Sequence, residues 1–169
     1  MIKFLPNEEV KVKPIYLKYD VMQELNNNLL LFYTGITHSA NQILQEQSQN
    51  IIDDKEKFDK LLQMTDLVYD ARRALSVGNL DEIGFLLHTN WILKRSLASK
   101  IANPIIDKYY DIAIHNGALG GKLLGAGNGG FLLFYCPKSH QTRLREALDL
   151  IEMPFNFEDD GTKVIYDSR

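Results

Sequence analysis

"GGKLLGAGNGGFLLFYCP", residues 120–137, crowds glycine into a short span and then turns wholly apolar. Six glycines fall in the eleven positions from Gly120 to Gly130, and an unbroken apolar run, Phe131 to Cys136, follows at once. Gly125, Ala126, Gly127, Asn128, Gly129 and Gly130 satisfy the pattern G-x-G-x-x-G literally. A dinucleotide-binding turn, however, needs a strand before the glycines and a helix after them, because the pyrophosphate rests on the helix N-terminus. The run after Gly130 reads as a strand, so that identification fails. A Walker A loop fails too: Gly121-Lys122 is followed by Leu123, which offers no hydroxyl for magnesium. A protein-kinase glycine hairpin would require a lysine-bearing strand and two Asp motifs that the chain lacks. What remains is a glycine-rich loop between two strands, "KLLG" (122–125) and "FLLFYC" (131–136). Glycines there either let backbone N–H groups converge on an oxyanion or let neighbouring backbones pack closely. Composition leaves both readings open.

Working outward, the flanks alternate strands and helices, and the middle is helical. "IKFL" (2–5) and "VKVKPIYL" (10–17) read as strands, the second half-buried through Val10, Val12 and Ile15. "YDVMQELNNN" (19–28) predicts a helix and "LLLFYTG" (29–35) a short buried strand ended by Gly35. From Ser39 to about His115 apolar residues recur at helical spacing, among them Ile43, Leu44, Ile51 and Ile52, then Phe58, Leu61, Leu62, Val68 and Leu75. Gly78 is placed to end the second helix, and Asn79 with Glu82 has the form of a capping box for a third. Asn103-Pro104 opens a fourth helix, which Asn116-Gly117 closes. Beyond the glycine loop, "SHQTRLREALDLI" (139–151) predicts a helix, and "MPFNFEDDGTKVIYD" (153–167) a hairpin turning at Asp160-Gly161. The pattern predicts one α+β domain, an antiparallel sheet covered by helices.

Composition narrows the function. A net charge of -3, from 19 basic and 22 acidic residues, and the lack of any basic block argue against nucleic acid as a partner. No apolar run approaches the about 20 residues that span a bilayer, and the amino terminus has no signal-peptide layout, so no membrane is expected and the compartment is read as cytoplasmic. Cys136 is the single cysteine and reads as an inert strand-end thiol. His38, His88, His115 and His140 lack metal-ligand spacing, so no metal site is expected.

Three co-linear phrases carry a specific likeness: "LLLFYTGITHSA" (29–40), "LLHTNWILKRSLASKIANPIID" (86–107) and "GALGGKLLGAGNGGFLLFYCP" (117–137). Together they resemble the carboxy-terminal half of the GHMP sugar kinases, most closely the heptose 7-phosphate kinase branch, and the glycine loop resembles that superfamily's third motif. The likeness covers essentially the whole chain. It implies a GHMP kinase C-terminal domain over residues 1–169: a ferredoxin-like antiparallel sheet with a large helical insertion at about 39–116. It also implies an ATP-dependent sugar-phosphate kinase that uses ATP and Mg, both bound mainly by an N-terminal nucleotide half that is absent here. No counterpart of that half's "PxxxGLGSSA" loop occurs in the chain, so the chain alone is expected to be inactive.

In that picture Gly125, Ala126, Gly127, Asn128, Gly129 and Gly130 form a wall against phosphates and sugar, Thr34, Gly35 and Thr37 lie near the acceptor, and Lys122 neutralises phosphate charge or stays an exposed strand lysine. Trp91 and Lys94 share one side of the third helix, with Trp91 read as core in preference to a sugar platform. A bulky residue at Gly127 is expected to cost turnover far more than stability. The family pattern has glycine where this chain has Asn128, arginine at His38 and an acidic residue near Thr89. The competing class is a non-catalytic ligand-sensing module of ferredoxin-like type, forming a homodimer through its sheet.

Overall fold

The computed structural model describes residues 1–37, 40–158, 161 and 164–166. Among these the sheet that matters is four-stranded and antiparallel throughout, built from β3 (Leu29–Tyr33), β4 (Gly120–Leu123), β5 (Phe131–Tyr135) and β6 (Ile151–Glu152) in the spatial order β4-β5-β3-β6. Numbered by their order along the chain, these strands lie 2-3-1-4, the ferredoxin-like arrangement. The connection between its first two strands is expanded into four helices, α2 (Ala40–Asp53), α3 (Lys55–Val77), α4 (Leu80–Arg95) and α5 (Pro104–His115). The last crossover is α6 (Gln141–Leu148), preceded by a 3-10 turn at Lys138–His140.

The strand pattern has a direct physical reading. Leu30 and Phe32 on β3 and Leu132 and Phe134 on β5 alternate inward and are almost wholly buried, meeting Ile106, Tyr110 and Ala113 of α5 and Leu144 of α6. Each such fully buried large apolar side chain contributes roughly 1.5–3 kcal/mol. A second, smaller cluster joins Leu25 of α1 (Tyr19–Asn28), Leu80 of α4 and Tyr135 of β5.

Helix boundaries follow from local chemistry. Asp54 breaks what would be one long helix, its carboxylate accepting from the N–H groups of Glu56 and Lys57. Gly78, at φ 72°, then closes α3 in a Schellman turn, with Asn79 N–H bonded to Ala74 O and Gly78 N–H to Leu75 O. The same construction ends α5, where Gly117 is at φ 101° and Ala118 N–H reaches Ala113 O. Asn103 caps α5 with its side chain, which accepts from Ile105 and Ile106, and Pro104 follows.

Several expectations are corrected. Asn79 makes no side-chain cap at α4: the residue is held by the turn that ends α3, so the capping box does not form. The strand expected over 10–17 is only β2 (Val10–Val12), which pairs with β1 (Ile2–Phe4) in a separate two-stranded ribbon. Val10 and Val12 are exposed, not half-buried, because they lie on the ribbon face turned away from α3; Lys3, Lys11 and Lys13 line a cavity with Tyr69 and Arg72 of that helix. β4 starts at Gly120, two residues ahead of "KLLG", since α4 lies close against these glycines. α6 stops at Leu148, where Asp149 turns left-handed at φ 48°, so Ile151 pairs with Tyr33 in β6 and is not helical. Residues 153–158 form no strand; they are fixed through Met153 N–H to Leu31 O and by Asn26, which bonds Asn156 and Phe157. Val164, Ile165 and Tyr166 are exposed and in no strand, and Asp160 of the expected hairpin turn lies outside the described residues.

Candidate functional site

The β4–β5 hairpin ends in the loop 124–130, and three segments distant in sequence meet it there. Thr34, leaving β3, is buried; its N–H and its hydroxyl both donate to Gly130 O, at 2.9 and 2.8 Å. Gly130 N–H returns a bond to Ile36 O at 2.8 Å. On the other side Asn128 N–H donates to Ile101 O at 2.7 Å, and Asn103 Nδ2 donates to Asn128 O and Oδ1 at 3.2 and 2.7 Å. The loop is thus bound to the β3 exit and to the start of α5. Asn128 sits at φ 62°, a conformation asparagine tolerates better than most residues, which accounts for its standing in a glycine position.

The glycines divide into two kinds. A Cβ at Gly121 would collide with the Phe134 ring and Leu133 O, and Gly120 lies against the α4 backbone at Gly84 and His88, so these two serve packing. Within the loop, a Cβ on Gly127 would lie 2.7 Å from both Cα and O of Ile101, and one on Gly129 would lie 2.6 Å from Ile36 O. Gly125 and Gly130 instead face open space at φ 77° and 92°. Gly127 is therefore a close-approach glycine whose replacement strains the fold itself, which corrects the expectation that its loss would spare stability. The N–H groups of Gly125, Ala126, Gly127 and Gly129 have no acceptor among the described residues. Gly127 and Gly129 are buried, whereas Gly125 is exposed and Ala126 part-exposed, so the amides open to an anion are those of Gly125 and Ala126.

Helix α4 runs along the β4 edge and delivers side chains to the hairpin in order. Asn90 Oδ1 accepts from Lys122 Nζ at 2.7 Å, and one turn on, Lys94 Nζ donates to Gly125 O at 2.5 Å. Desolvation lowers the Lys94 ammonium to about 8, and the charge of Lys122 adds to the effect. Lys122 is itself lowered by burial. Neither lysine is in an ion pair among the described residues, whereas the adjoining Arg95 lies 3.1 Å from Asp107. Asn90 and Lys122 also form the polar end of a groove of about 200 Å³ between α3 and α4, otherwise walled by Met64, Leu67, Val68, Leu86 and neighbouring apolar side chains.

Of the residues singled out in the sequence, Thr34, Gly35, Thr37 and the loop converge at this end of the sheet, with Gly35 and Thr37 exposed. Thr34 donates its hydroxyl proton to the protein, and Ile36 N–H donates to its oxygen, so its role here is to hold the loop. Lys122 stands on the α4 side, joined to Asn90. Trp91 is fully buried against Tyr110, with ring centroids 5.9 Å apart, and belongs to the core. Thr89 bonds back to Phe85 O on its own helix, and His38 lies outside the described residues. Sequence reasoning missed Asn103 as a partner of the loop and Asn90 as the partner of Lys122, and assigned Lys94 no role. The available signal was the i, i+4 spacing of Asn90 and Lys94, which puts both on one side of α4.

The family model described as GHMP kinases C terminal matches residues 71–151. Among curated proteins, the D-glycero-alpha-D-manno-heptose 7-phosphate kinase of Campylobacter jejuni is 27% identical over 165 residues, 96% of this chain and 48% of the relative. The bifunctional fucokinase/GDP-fucose pyrophosphorylase of Arabidopsis thaliana is 28% identical over 142 residues, 83% of this chain and 13% of the relative. Among solved structures, L. major mevalonate kinase in complex with R-mevalonate superposes with a TM-score of 0.70 at 23% identity, over 85% of this chain and 42% of that one. The chain thus spans about half, or less, of the proteins it matches.

Proposed function

We propose that this chain, which carries the C-terminal domain of the GHMP kinases, is the acceptor-side half of an ATP-dependent sugar-phosphate kinase and acts on a heptose 7-phosphate. The observation that carries the reading is the glycine loop: held at Thr34, Ile36, Ile101 and Asn103, it leaves the backbone N–H groups of Gly125 and Ala126 without a protein acceptor among the described residues and open at the mouth of the sheet. Phosphoryl transfer depends mainly on positioning and on neutralising charge, and such amides, with Lys122 close by, suit both tasks. Thr37 and Gly35 offer a hydroxyl and backbone groups to the sugar from the facing β3 exit.

ATP with Mg supplies the transferred phosphoryl and screens its charge. In this reading the metal is held mainly by the nucleotide-binding half together with the ATP phosphates. That half is the partner the chain requires, and the active site is the cleft between the two. A cytoplasmic location is part of the same proposal; among the described residues no helix is long and apolar enough to cross a membrane.

The test is a coupled assay of ADP release with heptose 7-phosphate, ATP and Mg. The chain alone is expected to show no turnover, and its fusion behind a GHMP nucleotide-binding half to show sugar-dependent turnover. Turnover by the chain alone would refute the half-site reading. A folded fusion that ignores heptose 7-phosphate but accepts another sugar would refute the acceptor.

A further inference from the structure

Two lysines beside the loop have no acidic partner, and the proposed kinase reading assigns a role to only one of them. Lys94 comes from α4 and Lys122 from β4, and each ammonium has only a neutral oxygen to bond: the Gly125 carbonyl and the Asn90 side chain. Both are part-buried, which raises the cost of an uncompensated ammonium. Asn90, which holds Lys122, lies one helical turn from Lys94, and the charge of Lys122 weakens that of Lys94. Asp107 of the neighbouring α5 is engaged by Arg95. A fold that holds two such cations near one another is complementary to a dianion, and the unengaged amide of Gly125, whose carbonyl Lys94 holds, lies beside them with that of Ala126 next along the chain.

Resting on the kinase reading for its biological setting, we propose that Lys94 and Lys122 form a two-lysine clamp for a phosphate monoester dianion, with Lys94 exchanging the Gly125 carbonyl for the ligand. Gly125 lies in open space at φ 77°, so the loop can yield its carbonyl without disturbing a packed neighbour. Lys94 is then a binding residue that also sets the loop's shape before the ligand arrives. The phosphate could be that of the sugar or that of the nucleotide; the chemistry at the lysines is the same.

The experiment uses this 169-residue chain without any partner half, so its outcome is independent of turnover. Backbone amide NMR is followed during titration with inorganic phosphate at constant ionic strength, then with glucose 6-phosphate and with ADP. Saturable shifts at Gly125, Ala126 and Gly127 are expected, with Kd at least tenfold weaker in Lys94→Met and in Lys122→Met, and near wild type in Lys94→Arg. A tighter response to glucose 6-phosphate than to ADP identifies the sugar's phosphate as the source, and the reverse order identifies the nucleotide's. Both support the clamp. Absence of saturable shifts with all three ligands overturns it, as does binding by either Met variant as tight as that of wild type. Should either Met variant lose the wild-type spectrum, Lys94→Gln and Lys122→Gln take their place and are held to the same tenfold criterion.

Discussion

At the residue scale, the loop's glycines differ in what a side chain would meet, and substitution should separate them. Gly127→Ala forces a Cβ against the backbone of Ile101 at a φ of 127°, and we expect a loss of about 2 kcal/mol or more in urea denaturation, together with lost function. Gly125→Ala meets no neighbour and bears only the cost of its left-handed φ, about 1 kcal/mol. Equal destabilisation by the two would contradict the division drawn above. Lys94 makes a separate prediction in pH. Its folded pKa, about 8, lies below its ordinary value because burial and then Lys122 disfavour the charged form. The unfolded chain therefore holds this proton between about pH 8 and pH 10.4 while the folded one has released it, and stability rises with pH through that window. Cys136 and Tyr135, raised chiefly by burial to about 11 and about 12, act in the opposite sense from about pH 9 and about pH 10 upward, so the Lys94 effect is read as a difference against a variant that shares them. The measurable quantity is the difference in urea midpoint between wild type and Lys94→Met, which should grow in favour of wild type from pH 8 to pH 10. A flat difference would mean that Lys94 titrates normally.

At the element scale, the Asn103 cap links a helix end to the loop. Removing the side chain by Asn103→Ala forfeits the bonds to Ile105, Ile106 and Asn128 at once, so the loss should exceed the about 1 kcal/mol typical of a cap alone. Thermal denaturation checks it, and a change no larger than for Asp54→Ala, whose cap faces solvent on α3, would show that the loop contact adds nothing. Elements of this kind were legible in the sequence where one residue type decides the geometry. Gly78 and Gly117 mark left-handed helix ends, Asn103-Pro104 a helix start, and the apolar run after Gly130 a strand. The Asn79 capping box was misread because the same residue completes the preceding Schellman turn, a competition that local pattern does not reveal. The half-buried reading of Val10 and Val12 failed for a different reason: alternation signals a face, and no element packs on it. The meeting of Asn90, Lys94 and Asn103 with the β4–β5 hairpin depends on how α4 and α5 dock, which 20 to 30 residues of separation hide from periodicity.

At the scale of the whole molecule, Cys136 offers a readout of cooperativity. It is fully buried in the main core, beside Leu144 and Phe134, and burial raises its thiol to about 11. Modification by a thiol reagent at pH 8 should be slow in the folded state and rapid in denaturant. Stoichiometric labelling within minutes under native conditions would reveal an opening of the β5–α6 region that precedes global unfolding. The three anchors of the glycine loop carry a last implication, for engineering. Ile36 stands before the helical insertion, while Ile101 and Asn103 lie near its end, at the entry to α5. Helix α3 makes none of these hydrogen bonds among the described residues, but it packs along α4 and walls the groove that ends at Asn90 and Lys122. A hairpin exchanged in its place would leave the loop's moorings in the chain and yet unseat α4, so the insertion works as a replaceable cassette only if the α4-facing side chains Met64, Leu67 and Val68 are kept.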